Sequence, residues 1–157
     1  MSPEIQAWLK AGHLIGVVLW ISGLASVYWL LRIHSHAPKD AHEKLTLMER
    51  SIAMSMDLAA TLAMGCGLAS AIIFKKFSAP GAGYLHIKLL VVALGILSVH
   101  GLVRARIKRY GMGQIKPMPG WAWTLLLSSI AAIMILVTVV KQAMLPEVPA
   151  IEQTMPK

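Results

Sequence analysis

A few ionisable side chains sit where the sequence is otherwise apolar: His13, Asp57, His86, Lys88 and His100, with Glu49 and Arg50 close to the start of a second apolar stretch. Inside a membrane such groups are expensive, so each is a candidate for ligation, proton transfer or pairing. An imidazole can ligate a metal or exchange a proton near neutral pH, and a carboxylate beside it can take part in acid–base work. His13 is followed by Gly16, Trp20 and Gly23 along its own helical face. Small residues there leave a slot that would admit a flat ring system. They equally let two helices pack with nothing between them, which is the commoner use. His13 itself reads either as a ligand or as a histidine bonded across helices.

The elements that position these groups follow from composition. The chain has 157 residues, 57% of them hydrophobic and only 14% charged, against roughly 45–50% and about 25% in an average soluble domain. An ordinary soluble enzyme and a disordered chain are both excluded. Four apolar stretches, at about 5–31, 47–74, 84–103 and 121–140, each meet the roughly 20 residues a lipid core demands. The expectation is one all-α domain, an integral membrane four-helix bundle, with 142–157 a loose, Pro-rich tail. The first stretch reads as a permanent helix, because Glu4 and the long apolar run do not suit a signal peptide. The single cysteine, Cys66, excludes an internal disulfide and the paired-cysteine motifs.

The net charge of +8 would suggest nucleic acid in a soluble protein. Here it reads as topology, with no nucleic-acid partner expected. Arg32, Lys39, Lys44, Arg50, Arg104, Arg106, Lys108, Arg109 and Lys116 flank the first and third loops. Fewer basic residues (Lys10, Lys75, Lys76, Lys88, Lys141 and Lys157) fall on the other side. The positive-inside rule places those two loops in the cytoplasm and both termini outside a bacterial-type inner membrane.

Helical rise gives depth. Asp57 lies about 25 Å in from Phe74, and His100 about 24 Å in from Tyr84. These two match and can pair, as a structural link or as a proton relay. His13 lies about 12 Å in from Ile5, level with Met64, Gly65, Cys66 and Gly67. His86 and His100 fall roughly 40° apart in phase but about 21 Å apart along the axis, too far to share one metal. The methionines read mainly as pliable packing, with Met56 or Met64 as a soft ligand the less common reading. His34, His36 and His42 can bind a metal, although an HSH pair in a polar loop is ordinarily solvated. Gly65/Gly67 and Ser128/Ser129 read as small-residue faces that permit a homo-oligomer.

Taken in order, these residues resemble the HemJ-type protoporphyrinogen IX oxidases and, more loosely, the small CopD-like membrane proteins. The resemblance starts at WLKAGHLIGVVLWISGL, with Lys10, His13, Trp20 and Gly23. It continues through MERS with Glu49 and Arg50, then Met56, YLHIKL with His86 and Lys88, VHGL with His100 and Gly101, and VVKQ at Lys141. The sequence departs from the family pattern at Ser51, at Leu58, and at QIKPMPG, where an Arg-x-x-Asn-Glu stretch is expected.

The resemblance implies a haem b in the bundle with His13 as axial ligand to the iron and Met56, Met64 or His86 as the second. It implies Lys10 and Lys88, with Arg50 further off, as propionate partners, and Trp20 and Met64 beside the porphyrin. It implies oxidation of a porphyrinogen substrate, protoporphyrinogen IX, with electrons passed to a quinone or another membrane acceptor. Asp57, His100 and Arg50 are then the catalytic candidates. Two alternatives stand beside it: a CopD-like copper-related protein using His34, His36 and His42, and a haem-binding membrane subunit without oxidase activity.

Overall fold

Two 32-residue helices carry most of the packing, α1 (Pro3–His34) and α2 (His42–Ile73). Pro3 begins α1, where a missing N–H costs nothing, and Glu4 and Arg32 sit at the ends that suit their charges. A short connection with one 3₁₀ turn at Lys39–Ala41 reverses the chain. The third span α3 (Gly83–Tyr110) and the fourth α4 (Gly120–Val140) complete four helices long and apolar enough to cross a membrane. The computed structural model describes residues 2–78 and 82–140. Lys141, the tail 142–157 and part of the second loop lie outside the described residues.

The helices run past the apolar stretches at the loop-1 and loop-3 end. α1 continues to His34 and α3 to Tyr110. Hydropathy marks where lipid ends, whereas Arg, Lys and Ile still favour or tolerate helix in RARIKRY. Past Gly111 the chain turns at Gly113, whose φ of +75° suits glycine.

The seam between α1 and α2 is closed by small residues. A Cβ on Gly16 would lie 2.5 Å from Ala63 N and 3.0 Å from Ala59 O, and one on Gly23 would lie 3.0 Å from Met56 Cβ. The glycine face of α1 is therefore used for close helix packing, and no slot opens between these two helices. Ser129 is similarly taken up inside the bundle, since a Cβ on Gly95 would collide with its hydroxyl. Of the expected small-residue faces, only Gly65 and Ser128 point outward.

A π-helical turn at Val92–Ile96 interrupts α3. A π turn adds about one residue per turn, so it resets the phase on which His86 and His100 were expected to align. His86 ends on the outer surface beside Phe77, with ring centroids 5.9 Å apart, while His100 faces the other helices.

The core is not uniform along the bundle. Trp20, Leu24, Val27, Tyr28, Leu31, Ala53, Met56, Val99, Val103 and Tyr110 are all buried, and they cluster toward the loop-1 and loop-3 end. Tyr110 ties that end together: its hydroxyl lies 3.2 Å from Leu31 O and 2.6 Å from Lys116 O, so it donates to one or the other. At the opposite end Gly83–Val91 buries nothing and packs mainly on α4. The bundle is thus splayed at the level of His13. Trp8, Leu14, Val18, Leu58, Leu94 and Met134 lie exposed around the outside. That much apolar surface suits lipid rather than water.

Candidate functional site

Near mid-bundle, three helices contribute one polar cluster. Trp20, 3% exposed, projects from α1, Asp57 from α2, and His100 and Arg104 from α3. The Trp20 indole N–H donates to His100 Nδ1 at 3.0 Å. Indole only donates, so Nδ1 accepts and the ring proton resides on Nε2. That nitrogen lies 3.1 Å from Asp57 Oδ1, at ion-pair distance although not aimed along a hydrogen bond. The other Asp57 oxygen lies 3.4 Å from Arg104 Nη2. The depth match between Asp57 and His100 is thus realised as contact. The arrangement can hold a proton at His100 Nε2 and receive one at Asp57 Oδ1.

His13 occupies a separate level, two helical turns from Trp20. Its Nδ1 lies 2.7 Å from Ala63 O. A carbonyl only accepts, so Nδ1 carries the proton and the neutral ring keeps its lone pair on Nε2. Metal-ligating histidines are commonly oriented by such a bond. The ring is half-buried and leans on Gly67, where a Cβ would come within 2.9 Å of Nδ1. Glycine at 67 is what admits the ring.

The remaining expected site residues are not gathered around His13. Met56, 1% exposed, fills the seam against Gly23, ten residues along α1. That is about 15 Å from His13 along the axis, so Met56 cannot face His13 across one iron. Met64 points to the outer surface. Lys10 and His86 are exposed, and Lys88 is half-buried on α3. Arg50 lies against Gly111 at the loop-3 end, two turns from Asp57.

The first loop holds what sequence reasoning missed. His34 is completely buried and places Nδ1 2.6 Å from Glu49 Oε1, while its Nε2 lies 2.9 Å from His42 Nδ1. His34 caps the last inward-facing turn of α1, and its burial follows from helix phase rather than from the polarity of HSH. His36, two residues on, is exposed and within 2.9 Å of Arg32 O. The three histidines therefore do not converge, and among the described residues no group of His, Cys, Asp and Glu has a metal-holding arrangement.

Compared with curated proteins, the chain is similar to the protoporphyrinogen IX oxidase of Synechocystis sp., with 31% identity over 117 residues, or 68% of this chain. The chain spans about half the length of that relative, the match covering 53% of it. This likeness supports the HemJ-type resemblance carried by the sequence. No family model matches, and no solved structure matches.

Proposed function

We propose that this chain is a haem b-binding membrane oxidase that converts protoporphyrinogen IX to protoporphyrin IX and passes the electrons to a quinone or similar membrane acceptor. The likeness to the Synechocystis oxidase carries this reading. The Trp20–His100–Asp57 cluster supports it, because dehydrogenating a porphyrinogen needs a proton acceptor as well as an electron sink.

The residues at the splayed end fit a porphyrin. His13 has its Nδ1 proton committed to Ala63 O and its Nε2 lone pair uncommitted, on a ring that is only half-buried. Gly83–Val91 buries no residue and packs on α4 rather than on α1 and α2 at that end. His13 would be the axial ligand, and Lys10 and Lys88 the cations for the propionates. Bound haem would supply an electron sink with a potential set by its axial ligation.

In this mechanism the part-exposed Asp57 carboxylate accepts the proton removed from the substrate. Arg104 Nη2, 3.4 Å from Asp57 Oδ2, orients that carboxylate, and His100 Nε2–H faces it while Trp20 fixes the ring. The apolar spans hold the protein in a bacterial-type inner membrane, with the basic first and third loops on the cytoplasmic side. The test is genetic. Wild type should restore growth to a strain lacking protoporphyrinogen oxidase, and His13→Ala should not. Failure of the wild type to restore growth, with haem present in the protein, would favour a haem-binding subunit without oxidase activity.

A further inference from the structure

Glu49 and His34 are both 0% exposed, and neither belongs to the cluster around Asp57. With His42 they form one continuous chain. Glu49 Oε1 lies 2.6 Å from His34 Nδ1, His34 Nε2 lies 2.9 Å from His42 Nδ1, and His42 Nε2 lies 3.1 Å from Ala37 O. The last acceptor decides the proton count. A carbonyl has no proton to give, so His42 Nε2 must carry one. Each of the other two intervals joins two atoms that both have lone pairs, and each needs a proton between them. The chain therefore holds three protons, whereas a carboxylate and two neutral imidazoles hold only two.

We propose that Glu49, His34 and His42 form a proton wire that carries one excess proton between the bundle interior and the groove at the loop-1 face. The transfer balances without any further reactant. The Glu49 Oε1 proton passes to His34 Nδ1, and the His34 Nε2 proton passes to His42 Nδ1. His42 becomes an imidazolium and Glu49 a carboxylate. His42 turns its Nε2–H from Ala37 O to water at the loop face and releases it, both rings turn to restore their starting tautomers, and Glu49 reloads from within.

The two ends are placed for this. Glu49 Oε2 is buried with no hydrogen-bond partner, a free acceptor at the inner end. His42 lines a groove of about 340 Å³ together with Glu43, Arg50 and Tyr110. Charge around the wire comes from each packed element. Glu43 and Arg50 lie on α2 beside the groove. From α3, the Tyr110 ring packs edge-on against His34 at 4.8 Å, and Tyr110 is electrostatically coupled to Glu49 and Arg106. The proposal rests on the oxidase reading only for the source of the protons.

The test uses the full chain in lipid nanodiscs with labelled histidine, by infrared and nitrogen NMR spectroscopy. Wild type should show a protonated carboxyl band or a doubly protonated imidazole, and Glu49→Gln should lose that signature. Glu49 fully ionised beside two singly protonated rings would overturn the proposal. A second variant, His42→Gln, leaves the Glu49–His34 pair intact. There the amide can donate to His34 Nε2, a third proton is no longer demanded, and the signature should be lost although Glu49 and His34 are both kept. A signature that survives in His42→Gln would equally overturn the wire. Neither readout needs a porphyrin, so failure here is separate from failure of the oxidase reading.

Discussion

Trp20 donates its indole N–H to His100 Nδ1 across 3.0 Å, joining the first and third spans through a half-buried hydrogen bond. The bond does more than hold two helices together. It places the imidazole proton on Nε2, the nitrogen that faces Asp57, and so determines which atoms can exchange a proton.

Trp20→Phe removes the donor while keeping an aromatic ring in the core. Nitrogen NMR should then show His100 sampling the Nδ1–H tautomer. Thermal stability should fall by about 1 kcal/mol, the net worth of one hydrogen bond, and porphyrinogen oxidation should slow. A His100 tautomer unchanged by the substitution would show that Trp20 does not control it.

Asp57→Asn keeps the size of the side chain and removes its basicity. Steady-state oxidation of protoporphyrinogen should drop on the order of 10²-fold, with haem content unchanged in the purified protein. Equal rates for Asn and Asp would mean that the proton goes elsewhere.

Two glycines of α1 and α2 should respond oppositely to alanine. At Gly16 the new methyl meets Ala63 N at 2.5 Å, backbone that cannot rotate away, so the two helices must separate. A loss of about 1–3 kcal/mol is expected in detergent unfolding. At Gly65 a Cβ meets nothing within 4 Å, and alanine should be neutral or stabilise by up to about 1 kcal/mol.

Gly67→Ala tests the cradle of His13. A methyl there would crowd Nδ1 at 2.9 Å and push the ring off Ala63 O. The helix should remain, since alanine is the better helix former, while haem retention through purification should fall.

Much of this was legible in the sequence because membrane depth is nearly one-dimensional. Counting rise along two antiparallel spans was enough to put Asp57 opposite His100, and the apolar stretches located all four helices. What escaped was governed by phase and packing. The π turn at Val92–Ile96 leaves no mark in composition, so His86 and His100 read as sharing one helix face and do not. HSH looks solvated as a string, yet His34 falls on the inward face of one more helical turn. Met56 and Met64 were indistinguishable as sulfur ligands, whereas one fills the α1–α2 seam and the other points outward.

The central claim is that His13 holds a haem in this bundle, and the absorption spectrum of the purified protein tests it most directly. Expressed with adequate haem supply, the wild type should show a Soret band that is lost in His13→Ala. A wild-type protein with no Soret band and no haem uptake, or a band unchanged in His13→Ala, would contradict the account.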